Sequence, residues 1–287
     1  MQFLLRFSSF LLAILTSFSL VAQQSPQGGA TEKPTGRGDI YKRKNMEQRF
    51  PLKYHHLEEK DIVWEKRVWR TIDVREKINN PFRYEKKPLI TILMDAARSR
   101  EISIYAPDDD KRENRFVDTM PLADLNSTLF RVDTIITLDE WGNEKPPTFV
   151  TKAFDPASVV RYTIEEVWFF DEENSRMGVR IVGIAPKAEM EVKGYGLTDR
   201  PLFWIYYPEA RDILSKNPAF SPSSDVDVMS WEDIFEMRFF SSYIIKESNV
   251  YDRRVQDYKQ AGTLDLLYES ENIHMSIFNL EQGSWEY

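Results

Sequence analysis

The chain has no cysteine. Disulfides, thiolate catalysis and thiolate metal centres are therefore excluded, and the chain is expected to be held together by its core. The lipid attachment site of a bacterial lipoprotein is missing as well, so membrane attachment is expected to come through a partner. Histidine is scarce, with only His55, His56 and His274. Adjacent histidines point in different directions on a helix or a strand and rarely share a metal. His274 lies in an amphipathic pattern and reads as a structural residue. The phosphate-cradling G-x-x-x-x-G-K, the dinucleotide G-x-G-x-x-G, the G-x-S-x-G elbow and S-x-x-K are all absent from the sequence. Basic charge is also in deficit, with a formal net charge of -8. That balance argues against a nucleic-acid or anionic-membrane ligand, and the short run Lys42-Arg43-Lys44 does not overturn it.

Only the beginning of the chain is strongly apolar. Arg6, the run Phe10 to Leu15 and the small residue Ala22 before Gln23-Gln24 read as a signal peptide over residues 1–22. The run is too short to span a bilayer comfortably, and no later segment approaches that length. The expectation is an exported chain of about 265 residues, soluble once cleaved, with one large domain or two small ones. Loss of Arg6 takes its charge from -8 to -9. Residues 23–39 hold four glycines, two prolines and no large apolar side chain. They begin a flexible arm assigned to 23–50.

Periodicity then predicts an α+β body over 51–287. Trp64, Val68 and Ile72, widened by Ile62, Trp69 and Ile78, predict a helix from Leu57 to Asn79. Lys66, Arg70, Asp73 and Lys77 would line its other side. Asn79-Asn80-Pro81 would stop it. A second helix starts at Pro88 and runs to Arg98. Residues 101–105 alternate as a strand, a short helix covers 121–129, and 132–136 form another strand. Val160, Tyr162, Ile164, Trp168 and Phe170 pair as a hairpin with Met177, Val179 and Ile181. Residues 201–207 form a strand, Pro208 opens a helix, and Ser230 caps another before Trp231. The last helix, 263–282, is apolar on two sides: Leu264, Leu267, Tyr268, Met275 and Phe278 against Leu266, Ile273, Ile277 and Leu280. A helix of that kind is covered twice within its own domain, is broken into two short helices near Asn272, or presents a docking face. A division near residue 150 would give subdomains 51–150 and 151–287.

Candidates for chemistry are few. Glu166 sits on the otherwise apolar side of its strand and, if buried, would have a raised pKa suited to a general acid. The alternative is a cross-strand partner for Arg180. Asp108-Asp109-Asp110 and Asp171-Glu172-Glu173-Asn174 are acidic, but neither has the ligand spacing of a calcium loop. The tryptophans Trp64, Trp168 and Trp204 fall at core positions, so aromatic content does not argue for sugar binding. No catalytic, cofactor or metal residue is assigned.

The run Asp61 to Asn79, with its D-x-x-W-x-K-x-V-W-R-x-I-D-x-R-E-K-x-N pattern, resembles the GldN/PorN family of the Bacteroidetes gliding-motility and type IX secretion apparatus. The likeness continues through Asn80-Pro81, Tyr162 to Trp168, Arg180 to Pro186, Pro201 to Pro208 and Trp285-Glu286-Tyr287. The resemblance implies a non-enzymatic periplasmic subunit. It also implies a ring complex with a GldK/PorK-type outer-membrane lipoprotein and contact with a GldM/PorM-type motor component. No catalytic residue or cofactor is carried over. Interface candidates are Arg70, Asp73 and Lys77, and Leu266, Ile273, Ile277 and Leu280 of the last helix. The competing expectations are a cell-wall glycan binder and a hydrolase using Glu166 with a second carboxylate.

Overall fold

The computed structural model describes residues 48–107, 116–129, 131–135, 148–152, 154–192, 196–220, 229–258 and 263–283. The signal peptide, most of the arm, Asp108 to Asp110, Ile136 and the terminal Trp285 to Tyr287 lie outside these residues. The fold is α+β, built on a seven-stranded antiparallel sheet in the order β2-β8-β6-β5-β1-β9, with β7 also paired to β6. Its strands are β1 (Ile62–Asp73), β2 (Ile104–Tyr105), β5 (Val159–Asp171), β6 (Arg176–Val192), β7 (Gly196–Pro201), β8 (Trp204–Tyr206) and β9 (Tyr243–Glu247). A separate two-stranded sheet pairs β3 (Arg131–Ile135) with β4 (Thr148–Lys152). The helices are α1 (Leu89–Arg98), α2 (Leu122–Leu129), α3 (Tyr207–Lys216), α4 (Trp231–Glu236), α5 (Val255–Tyr258) and α6 (Thr263–Gly283).

The largest correction concerns residues 57–79: instead of an α-helix they form a 3-10 turn (Glu59–Asp61), β1 and the start of a 3-10 segment (Lys77–Arg83). A spacing of four keeps Trp64, Val68 and Ile72 on one face of a strand as well as on one face of a helix. Composition breaks the tie. Seven of the twelve β1 residues are β-branched or aromatic, and such side chains favour the pleated surface. Pairing then satisfies the backbone on both sides, with β5 along nearly the whole strand and with β9 at Val68–Thr71. Asn79 does more than end an element. Its buried amide donates to the carbonyls of Asp73 and Ser241 and accepts from Ser241 N, all within 3.0 Å. It clips the end of β1 to the start of β9.

Elsewhere the pattern is closer. The hairpin forms as β5 and β6, turning through Ser175 at φ 47°. The strand predicted at 101–105 shrinks to β2. Residues 201–207 split into the end of β7, β8 and the first residue of α3. Because β1 pairs with β5 and β9, residues on both sides of position 150 share one sheet, and 45–287 form one compact unit.

One sheet face carries two apolar clusters. At one end Ile72, Tyr162, Ile164, Ile181 and Ile184 pack with α1, α3 and α4. At the other end Val68, Ile244 and Ile277 pack with Trp64, Trp168, Met177 and Ile273. On the opposite face Trp204, Tyr105 and Ala185 meet Trp69 and Phe116. Gly183 makes that contact possible, since a Cβ there would come within 2.5 Å of the Phe116 ring. Phe82 lies at the centre of the first cluster, with its ring 5.4 Å from Tyr162, 5.0 Å from Trp231 and 6.0 Å from Phe235. Phe82→Ala should cost about 3–5 kcal/mol, read as a lower urea midpoint with an unchanged slope.

Candidate functional site

Glu166 is the most deeply buried carboxylate on the clustered face, at 0% exposure. It sits opposite Val68 on β1 and Ile181 on β6, at the join between the two apolar clusters. An unpaired charge there would be costly. It is neutralised by Arg238, whose Nη2 lies 2.9 and 3.1 Å from its two oxygens, and Trp168 Nε1 donates to Oε2 at 3.1 Å. The partner is therefore Arg238 and not Arg180. Arg180 instead donates to the His55 carbonyl and lies over the Tyr54 and Phe169 rings. Enclosed and held by Arg238 and Trp168, Glu166 presents no open approach to a ligand.

Arg238 is delivered by α4. Ser230 and Asp233 form a reciprocal capping box at the helix start. At its end Phe239 N bonds Ile234 O and Arg238 N bonds Phe235 O, a Schellman closure. Glycine usually fills the left-handed position of that motif, yet here it is Arg238 at φ 57°. Its guanidinium also stacks near Trp168 and Phe240, 5.5 Å from each ring. Arg70 adds a second cation on this face and donates to Ser242 Oγ at 2.9 Å. Burial holds the Arg70 guanidinium below its ordinary pKa, and the Glu166 carboxylate opposes that shift.

A second polar cluster fastens residues 49–55. Arg49 pairs with Asp233 at 2.8 Å, Leu52 N donates to Glu232 at 3.0 Å, and Tyr54 OH donates to Glu236 at 2.6 Å. The buried Arg211 of α3 joins the two sides. Its Nη2 reaches Glu232 at 2.7 Å and the Leu52 carbonyl at 2.5 Å, and its guanidinium lies 3.7 Å over the Tyr54 ring. Burial, reinforced by Glu236, pushes the Tyr54 and Tyr207 hydroxyls well above the ordinary phenol range. Residues 49–55 are thus laid across α3 and α4 as part of the body, although the sequence placed Arg49 within the flexible arm.

The interface candidates do not stay together. Arg70 and Asp73 point to opposite sheet faces, and the exposed Lys77 lies beyond the strand. Asp73 is occupied by Arg75 at 2.5 Å and Arg161 at 3.2 Å. The Arg75 hydrogen bond brings its carboxyl down to about 2. On α6, Ile277 is buried and Leu266 and Ile273 are half-buried, while Leu280 is exposed. Ser270 Oγ accepts from Ile244 N at 2.7 Å and docks this side on β9. The other side, Leu264, Leu267, Tyr268, Met275 and Phe278, faces outward. Asp171 accepts from Asn174 at 2.8 and 3.1 Å and shapes the hairpin turn. Among the described residues no group of three or more His, Asp or Glu side chains is placed to hold a metal. His55 and His56 are exposed.

The fold and its polar clusters define an α+β protein on a seven-stranded antiparallel sheet, in which the two buried charge clusters join one element to another. The chain belongs to the GldN family, since the family model described as gliding motility associated protein GldN matches residues 57–286. No curated protein matches it.

Two outcomes follow. Arg238→Ala should strand the Glu166 charge and lower stability by about 3 kcal/mol. Adding Glu166→Gln should recover much of that loss, so a double-mutant cycle in urea should give strongly non-additive values. On the opposite face, burial and then the neighbouring Arg161 hold Lys187 down at about 8, from 10.5. Between those values the unfolded chain binds more protons, so stability should rise with pH from about 8 to 10.5. Thermal melts across that window should show the rise in the wild type and flatten it in Lys187→Met.

Proposed function

We propose that this chain is a non-enzymatic periplasmic subunit of the type IX secretion and gliding-motility machinery. It forms a ring complex with a GldK/PorK-type outer-membrane lipoprotein and contacts a GldM/PorM-type motor component. The observation that carries this reading is membership of the GldN family over residues 57–286. The roles of the buried charges agree with it. Glu166 with Arg238 ties α4 to the sheet, Arg211 with Glu232 ties α3 to α4, and Arg49 with Asp233 ties residue 49 to α4, as a subunit that transmits load would need.

The absence of a cysteine to carry a lipid supports attachment through a partner. The subunit's work would be done through large, specific interfaces. The test is the native mass of C-terminally tagged protein from gently solubilised envelopes. A megadalton-scale particle with a stoichiometric lipoprotein is expected. A free monomer without lipoprotein would sink the assembly, and isolated cell-wall glycan would become the next ligand to try.

A further inference from the structure

Helix α6 has 21 residues, which makes it roughly 30 Å long. It is docked by one side only. Its outer side presents Leu264, Leu267, Tyr268, Met275 and Phe278, between 44% and 63% exposed. Leu264, Tyr268, Glu271, Met275 and Phe278 follow one another by four, three, four and three residues. That is the heptad seam by which a second helix packs knobs into holes, and Leu267 widens it. An exposed apolar stripe of this length, interrupted at Glu271, marks an interaction site.

Charge says what fits there. Helix α6 carries Asp265, Glu269, Glu271 and Glu281 and no lysine or arginine. Glu271 is the midpoint of the seam, its side chain is 68% exposed, and His274 Nδ1 lies 3.9 Å away. Two copies of this helix would set Glu271 against Glu271 in either orientation, because the midpoint maps onto itself both in parallel register and under an antiparallel two-fold. Like charges at the centre of an apolar seam oppose that pairing. A partner with a cation at the same level gains where the second copy loses.

We propose that the outer face of α6 docks a cationic amphipathic helix of another protein, with a lysine or arginine set against Glu271. The proposal stands on α6 alone and does not need the ring assembly. The test places a photo-crosslinking residue at Leu267 or Met275 of the full chain, in the cells that produce it, and maps the linked peptide by mass spectrometry. Both positions should link to one segment of another protein, with heptad-spaced apolar residues and a central lysine or arginine.

Glu271→Lys should lower the yield at least tenfold, and exchanging the partner's cation for glutamate should restore it. Glu271→Gln, which adds no like charge, should lower it less, and circular dichroism melts establish that both variants fold. Links to a second copy, to residues 23–47 of this chain or to an acidic segment would overturn the proposal. So would an absence of links, or a yield indifferent to Glu271→Lys. A monomer in the envelope preparation together with the cationic link here would remove the ring and leave this interface standing.

Discussion

A carboxylate with no exposure in the middle of a sheet face has to be neutralised, and in this chain Arg238 does so from beyond the sheet. That single requirement arranges much of what surrounds it. The turn after α4 must come down on β5, which places Trp231, Ile234 and Phe235 on the first apolar cluster. Trp168 turns its indole N–H to the same carboxylate and its ring toward the second cluster. The backbone accepts a left-handed arginine where glycine would relax, at a cost on the order of 1 kcal/mol. The energy of leaving Glu166 unpaired is larger, so the strained geometry prevails.

The same logic holds residues 49–55. Asp233 caps its own helix through Ser230 N and also takes Arg49, while Glu232 and Glu236 point toward Arg211, Leu52 and Tyr54. The first turn of a helix favours acidic side chains, and here that local preference is reused as a binding surface for residues far away in the chain. The C-terminal helix is handled differently. Its inner side is fixed by a hydroxyl bond and two isoleucines, and its outer side is left apolar. Two buried charge clusters therefore secure the body, while a large apolar face remains available outside it.

Much of this was legible in the residues. The alternation in 160–181 showed the central hairpin, Pro88 and Pro208 marked α1 and α3, and Ser230 marked α4. Glu166 stood out because it interrupts an apolar strand face. Its partner was not legible, because Arg238 lies 72 positions away and Arg180 is nearer along the hairpin. The signal was an arginine directly after a helix end. Residues 61–72 misled because their apolar spacing fits two periods, and the preference of valine, isoleucine and tryptophan for strands settles the matter only once neighbours are there to pair. The sides of α6 were read correctly as two, but which one is covered depended on where β9 lies.

By itself the sequence determined the element types where one period dominated, the caps, the family pattern and the acidic, cysteine-free character of the chain. These are properties of near neighbours in the chain and of composition, and they need no fold to be expressed. Only the tertiary structure decided that β1 is a strand paired on both sides, that Glu166 meets Arg238, that Arg49 is fastened to α4, and which side of α6 faces out. Each of those depends on which distant segments are brought together. Burial and backbone pairing are energies of contact, and contact is set by the whole fold.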